Sequence, residues 1–155
     1  MDYLLFGGAP STGKSETITR LIDYLIKSKN FVCNNIQQLS NKDFYCVLDG
    51  KNKNNKNIQV LVTSATDTYK IIDDFEAYLQ NYPKHDFIIS SIRDAGDPMR
   101  DYFLKKMKIT KNDFCFEIPL AKITRQTNFH AAFQWYKDKI DCISIGVLGN
   151  LPFNI

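Results

Sequence analysis

The N-terminal stretch Tyr3-Leu4-Leu5-Phe6-Gly7-Gly8-Ala9-Pro10-Ser11-Thr12-Gly13-Lys14-Ser15 decides the fold of this 155-residue chain. Its first four residues are a continuous apolar run, which is typical of a strand that is buried on both faces of a sheet. After Lys14, apolar residues recur at the spacing of an amphipathic helix that ends near Asn30. These apolar residues are Ile18, Leu21, Ile22, Leu25 and Ile26. The stretch therefore predicts a buried strand, a glycine-rich loop and a helix in direct succession.

The glycine-rich loop, residues 8–15, matches the pattern G-x-x-x-x-G-K-[ST] in full. Such a loop wraps a phosphate group with its backbone N–H groups, so Gly8 and Gly13 leave room where the backbone approaches the ligand closely. Lys14 would place its charge on the β- and γ-phosphates, and Ser15 would offer its hydroxyl to magnesium. The start of the following helix adds N–H donors and a favourable dipole. A chance match is expected at roughly the 1% level, so we interpret the loop as a nucleoside triphosphate site.

At residues 8–15 the chain resembles the P-loop NTPase superfamily, and its small size is most similar to that of small P-loop kinases. The resemblance implies a parallel sheet whose first strand leads into the triphosphate loop. It implies ATP and Mg²⁺ as the bound species, Lys14 as a catalytic residue, and a Walker B carboxylate at the end of a neighbouring strand. The residues expected to bind the nucleotide are Gly8, Ala9, Pro10, Ser11, Thr12, Gly13, Lys14, Ser15 and Glu16.

The expected magnesium ligands are Ser15 and a carboxylate for which the sequence offers more than one candidate. Asp67 follows the predicted strand 58–62, and it can reach the metal directly or through water if that strand lies beside the first one. The alternative is that Asp67 caps the helix that follows it. Asp49 also ends an apolar run, but it begins a hairpin turn and is expected at the opposite end of the sheet. We therefore predict Ser15 and Asp67 as the metal site.

Residues 90–96 (Ser-Ser-Ile-Arg-Asp-Ala-Gly) follow an apolar strand and should leave the sheet at the edge where open α/β folds bind ligands. Arg93 is predicted to be catalytic, neutralising charge on the transferred phosphoryl group as an internal arginine finger does. The alternative is a structural ion pair between Arg93 and a nearby carboxylate. Asp94 and Asp97 are candidates for contacting a substrate hydroxyl, although loop and helix-cap roles are favoured for both.

Short apolar runs alternate with longer amphipathic ones along the rest of the chain. The predicted strands lie at 44–48, 58–62, 87–89 and 114–118, and the predicted helices lie at about 67–81, from Asp97-Pro98 onward, and from Phe129 to Ile140. The Asn- and Lys-rich segment 49–57 predicts a hairpin with an exposed tip. Residues 30–42 are polar and are predicted as a long loop, with or without a short helix.

This alternation predicts an α/β fold, and the resemblance implies a P-loop NTPase-type three-layer sandwich. The central sheet is expected to be mostly parallel, with one antiparallel edge strand contributed by the hairpin. A length of 155 residues is suited to one nucleotide-binding domain over residues 1–155.

Composition narrows the setting of the protein. The four cysteines include no C-x-x-C pair, so we predict neither zinc nor disulfides and expect a cytoplasmic location. No basic leader precedes the first apolar run, and no run approaches about 18 apolar residues, so no membrane contact is expected. The net charge of +3 is too small to indicate nucleic acid by itself.

Several further features were weighed as parts of a site. Arg100, Lys105, Lys106 and Lys108 form a basic cluster for which a solvated helix face is the simpler interpretation. Arg125 is the preferred candidate for a lid over the phosphates. Thr110-Lys111-Asn112-Asp113 resembles the guanine-reading [NT]KxD signature but follows a predicted helix rather than a strand, so ATP is preferred over GTP. His85 and His130 have no metal-ligand spacing.

Two function classes remain open from the sequence. The first and preferred class is an enzyme, a small kinase-like phosphotransferase or NTP hydrolase with an unknown small-molecule acceptor. The second is a non-catalytic, nucleotide-gated switch or accessory factor for a nucleic-acid or protein partner. An enzyme needs a well-placed carboxylate beside the metal, whereas a switch can do without one.

Overall fold

A computed structural model describes residues 1–123 and 129–155. Those residues form one six-stranded sheet and four helices. The strands are β1 (Asp2–Gly7), β2 (Val32–Gln38), β3 (Phe44–Lys51), β4 (Asn57–Thr63), β5 (Phe87–Ile92) and β6 (Phe114–Pro119). The helices are α1 (Lys14–Lys29), α2 (Tyr69–Leu79), α3 (Pro98–Lys106) and α4 (Phe129–Leu148). The predicted α/β class is confirmed, and the sheet is mixed, with three parallel and two antiparallel strand pairs.

The strand order across the sheet is β2-β3-β4-β5-β1-β6. Strands β4, β5, β1 and β6 pair in parallel, while β3 is antiparallel to both β4 and β2. The hairpin strand β3 is therefore antiparallel as predicted, but it is not the edge strand. The edge position belongs to β2, which lies in the segment 30–42 that was predicted as a loop.

The prediction of a loop at 30–42 was wrong because β2 lacks the usual burial signal of a strand. Six of the seven residues of β2 are exposed, so no apolar alternation marks the strand in the sequence. It is held instead by antiparallel backbone pairing with β3, with an irregularity between Asn34 and Gln37. Asn35 has φ 49° within this irregularity, and such a bulge blunts an edge strand against further pairing.

The core is divided between the two faces of the sheet. Side chains alternate along β1, so Leu4 and Phe6 point to one face while Tyr3 and Leu5 point to the other. The first face packs against α1 and α4, and the second packs against α2 and α3. Among the helices in residues 1–123 and 129–155, none combines the length and the apolarity needed to cross a bilayer.

Five chain segments meet at one end of the strands, which we call the loop edge of the sheet. The carboxyl ends of β1, β4, β5 and β6 meet there because these strands are parallel, and β3 begins there because it runs in the opposite direction. Strand β5 lies between β1 and β4, so the condition that β4 should lie beside β1 is not met. This edge of the sheet carries the glycine-rich loop.

The starts of α2 and α3 are set by side-chain caps. Thr68 Oγ1 accepts the N–H of Ile71 at 3.2 Å, so Thr68 rather than Asp67 caps α2. Asp97 accepts the N–H of Met99 at 2.8 Å and precedes Pro98, which confirms its favoured role as the cap of α3. Asp67 is therefore available for another role.

Candidate functional site

The glycine-rich loop connects β1 to α1 through backbone conformations that favour glycine at positions 8 and 13. Gly13 has φ 88° and forms the N-cap of α1, a conformation that disfavours any side chain. At Gly8 a Cβ atom would lie 2.9 Å from the carbonyl oxygen of Leu120, which is too close. Ser11 is also left-handed, with φ 62°, an uncommon state for a non-glycine residue. The loop is thus folded tightly against the chain that leaves β6.

Lys14 lies in the first turn of α1 and folds back over the loop. Its ammonium donates to the carbonyl oxygens of Gly8 at 2.6 Å and Ala9 at 2.8 Å, and only 7% of the residue is exposed. Burial lowers the pKa of Lys14, and the charge of nearby Asp67 opposes that effect. An ammonium has three N–H donors, so one remains beyond the two loop carbonyls.

Ser15 contacts a carboxylate that the sequence did not single out. Its Oγ lies 2.8 Å from Oδ1 of Asp43 and 3.0 Å from the carbonyl oxygen of Ser64. Asp43 belongs to the turn between β2 and β3, where its Oδ2 accepts the hydroxyl of Ser40 at 2.9 Å. Asp43 thus lies beside the predicted metal-binding hydroxyl, in the position that was predicted for Asp67.

These three oxygens are suited to a hard divalent cation. Mg²⁺ takes oxygen ligands at about 2.0–2.1 Å in an octahedron, so neighbouring ligands lie about 2.9 Å apart. The distances from Ser15 Oγ to the other two oxygens, 2.8 and 3.0 Å, are close to this separation of neighbouring ligands. Among the described residues, no group of three or more His, Cys, Asp or Glu side chains is placed to hold a metal. A cation here would need most of its ligands from substrate and water, as is usual for Mg²⁺.

Asp67 and Arg93 form an ion pair at the same edge of the sheet. Arg93 Nη2 lies 3.0 Å from Asp67 Oδ1, with the arginine side chain 13% exposed and the aspartate side chain 48% exposed. Nε and Nη1 of Arg93 are buried, and neither has an acceptor within the part of the chain that the structure describes. Arg93 is also close enough to Lys14 to lower its pKa. The pair brings together two predicted site residues, but as partners of each other.

The loop borders a cleft of about 1440 Å³, which we name the loop cleft. This volume exceeds the roughly 300–1,000 Å³ of most small-molecule sites, so it can take a nucleotide and a further group. Asp67 lines the cleft, whereas Arg93 is outside the lining formed by the described residues. The lining consists of residues 10–16, residues 40–43, Ser64, Asp67, residues 121–123, Phe133, Tyr136 and Lys137.

Other sequence candidates lie away from the cleft. Asp49 pairs with Gln59 near the start of β4, at the opposite edge of the sheet, as expected. Asp113 precedes β6 at that same opposite edge, where it binds the N-terminal ammonium at 2.9 Å. The [NT]KxD-like segment is therefore remote from the loop. Arg125, the lid candidate, lies outside the described residues.

Asp43 was the main omission of the sequence reasoning. The sequence did contain the information needed to find it. Asp49 lies at the end of β3 that is far from the glycine-rich loop, so the start of this antiparallel strand must lie near the loop. The residue immediately before that strand is Asp43.

Comparisons with protein-family models, with curated proteins and with solved structures found no match for this chain, so its function is argued from the geometry of the site.

Proposed function

We propose that this chain is a P-loop protein of the three-layer sandwich type that binds Mg-ATP at residues 8–16 and transfers its γ-phosphoryl group to an acceptor or to water. The observation that carries the proposal is the contact between Ser15 and Asp43 beside a loop closed by Lys14. A hydroxyl at the start of a helix, paired with a carboxylate from a neighbouring segment, is the donor set that a nucleotide-bound magnesium ion needs.

The first turn of α1 supplies the anion site of this proposal. The N–H groups at the start of a helix have no intrahelical acceptor, and they point with the helix dipole toward the loop. Lys14 adds a positive charge, because its ammonium is held over the loop by hydrogen bonds to the carbonyl oxygens of Gly8 and Ala9. Ser15 and Asp43 would hold Mg²⁺, which neutralises part of the charge on the phosphates. Burial of Lys14 strengthens its attraction for a phosphate oxygen, because the surroundings screen the charge less than water does.

Arg93 retains its proposed catalytic role, now with a defined resting partner. In the described chain Arg93 is paired with Asp67, whose carboxylate lines the cleft. A phosphate oxygen with its greater negative charge can compete with a half-exposed carboxylate for this guanidinium. Nε and Nη1 of Arg93, which are buried and have no acceptor in the described chain, would complete such a contact once the side chain turns toward the cleft. Asp67 then acts as the group from which Arg93 is released.

A nucleotide-gated switch is the second candidate, and one observation favours it. The turn between β2 and β3 is tied to α1 by Asp43 on Ser15 and by an ion pair of Lys42 with Glu16 at 3.1 Å. Nucleotide binding at Ser15 and Glu16 would therefore act directly on this turn. Support for a nucleic-acid partner is weaker, because Lys53 and Lys56 at the hairpin tip bind Gly149 and Asp86.

Thermal unfolding with and without Mg-ATP tests the proposal. A ligand at a hundredfold excess over its Kd stabilises the native state by about 2.7 kcal/mol, which gives a clear rise in Tm. Lys14→Ala should abolish most of that rise, whereas Lys27→Ala on the exposed side of α1 should keep it. The absence of any shift in the wild-type protein with ATP, GTP or ADP and magnesium would contradict the proposal. Turnover without an added partner then separates the enzyme from the switch.

A further inference from the structure

The loop cleft has an aromatic wall formed by Phe133 and Tyr136 of α4. These residues are three apart, so they lie on the same side of the helix. Both are half-buried and line the same cleft as the glycine-rich loop. The opposite end of the cleft is polar, with Ser40, Asn41 and Asp43. One cleft thus joins an apolar surface, an anion-binding loop and a carboxylate.

The aromatic wall is anchored to the loop by short contacts. Tyr136 Oη accepts the N–H of Ala121 at 2.6 Å. The preceding residue, Leu120, donates its N–H to the carbonyl oxygen of Gly7 at 2.7 Å. Two consecutive residues of the segment after β6 therefore hold the tyrosine ring on one side and the start of the loop on the other. This fixes the Tyr136 ring near the entrance of the loop.

The height of α4 relative to α1 is fixed by a second anchor. Arg20 binds both carboxylate oxygens of Asp141, at 2.7 and 2.8 Å. Helices α1 and α4 follow the parallel strands β1 and β6 and pack on the same face, so both run away from the loop edge. Along the helix axes, at about 1.5 Å per residue, Lys14 lies about 9 Å closer to the loop than Arg20, and Tyr136 lies about 7.5 Å closer to it than Asp141. Tyr136 therefore lies beside the first turn of α1, and Phe133 lies about 4.5 Å further toward the loop end of α4.

We propose that the aromatic wall is the nucleobase platform of the site, so that the base stacks on Phe133 and Tyr136 while the phosphates lie on residues 8–15. This inference rests on the proposed nucleotide function and names the part of the substrate that the cleft reads. A flat aromatic base is matched to aromatic side chains, which bind it through stacking rather than through its hydrogen-bonding edge. The triphosphate then extends from the wall across the loop toward Asp43.

Two lysines of the cleft fit the same placement. Lys137 Nζ lies 4.2 Å from the centroid of the Phe133 ring, so a cation already approaches this ring system. Lys122 lines the cleft in the segment after β6. Positive charge beside the wall suits the ribose-phosphate end of a nucleotide, which carries negative charge next to the base. A purely apolar ligand would gain nothing from these ammonium groups.

Binding of ATP and of inorganic tripolyphosphate, each with magnesium, tests the platform by calorimetry. Tripolyphosphate carries the same chain of phosphates but no base. In a variant with Phe133→Leu and Tyr136→Leu, the Kd for ATP should rise about tenfold or more. The Kd for tripolyphosphate should stay within about twofold, because the glycine-rich loop is unchanged. Tyr136→Phe separates the ring from its hydrogen bond to Ala121 and should retain most of the ATP affinity.

Trp135→Leu is the matched control, since Trp135 is 62% exposed on the same helix and is outside the cleft lining of the described residues. It should change neither Kd. An unchanged Kd for ATP in the double variant would overturn the platform, and so would equal losses for ATP and tripolyphosphate. A wild-type protein that binds both ligands equally well overturns the platform alone. A wild-type protein that binds neither overturns the proposed function together with it.

Discussion

The hydroxyl of Ser15 has one proton and two acceptors, the carboxylate of Asp43 and the carbonyl oxygen of Ser64. A cation that binds the Ser15 oxygen would turn the proton away from Asp43 and leave that carboxylate free to act as a ligand. The hydrogen bond and the proposed metal site therefore use the same atoms at nearly the same distances. At this scale the question is which carboxylate, Asp43 or Asp67, responds to magnesium.

Isosteric substitutions answer that question. Asp43→Asn should weaken ATP binding in magnesium but leave it unchanged in EDTA, because an amide oxygen has no negative charge to offer the metal. Asp67→Asn is the paired variant, and its sequence-based prediction as a metal ligand would give the same pattern. Calorimetric titration of both variants in both buffers assigns the role. A magnesium-specific loss in Asp67→Asn alone would move the metal site to Asp67.

Arg93 gives a second prediction at the residue scale. An arginine that stabilises a phosphoryl-transfer transition state contributes about 10³- to 10⁵-fold to the rate. We expect Arg93→Ala to reduce turnover at least about a hundredfold with much less change in ATP affinity. Arg93→Lys should fail almost as badly, because an ammonium lacks the planar fork of donors.

A purely structural ion pair with Asp67 makes different predictions for the same Arg93 variants. Both would lose thermal stability, and turnover per folded molecule would stay near normal. Tm and turnover are therefore measured on the same preparations. Normal turnover in folded Arg93→Ala would remove this residue from the mechanism and leave the Asp67 pair as a support for the fold.

At the scale of single elements, the start of α2 separates capping from function. Thr68 caps the helix through Ile71, so Thr68→Ala should lower the free energy of unfolding by about 1 kcal/mol. Nucleotide affinity should not change, since the residue is outside the cleft lining of the described chain. Urea denaturation measures the loss, and Lys70→Ala, an exposed first-turn substitution, is the control. Equal stability of Thr68→Ala and wild type would contradict this capping role.

The elements also show how far the sequence could predict the fold. The strands β1, β4 and β5 and the helix α1 carry strong apolar patterns because both faces of the sheet are covered, and their positions were predicted correctly. The exposed strand β2 has no such pattern, and pairing with β3 places it. Local sequence does not encode which distant strand will supply a hydrogen-bonding partner, so β2 could not be predicted from its own residues.

The site follows the same division between local and distant information. The shape of the glycine-rich loop is a local property, because the positive φ of Gly13 and the hydrogen bond of Lys14 to Gly8 both arise within residues 8–14. The partner of Ser15 depends on strand order, which the sequence did not supply. Strand β5 lies between β1 and β4, so Asp67, which follows β4, pairs with Arg93, which follows β5. Asp43, which precedes β3 on the far side of β4, contacts Ser15 instead.

At the scale of the whole molecule, one sheet connects two separate apolar clusters. Phe75 is buried between α2 and the sheet, and Leu25 is buried on the opposite face in α1. We expect either residue replaced by alanine to lower stability by about 2–5 kcal/mol. Because both clusters share the same strands, urea unfolding should remain a single transition with an unchanged m-value. A biphasic curve in either variant would show that the two faces unfold separately, against the expected single domain.

The central position of β1 has a consequence for the order of folding during synthesis. Tyr3 pairs with Ile88 and Cys115, so β1 leaves the ribosome before either of the two strands that pair with it. Contacts of such high sequence separation form slowly, because closing long loops costs entropy before pairing is gained. The segment that carries Lys14 must therefore wait, without its supporting strands, until β6 has emerged. We therefore expect that a nascent chain that stops before β6 does not retain ATP at the proposed site.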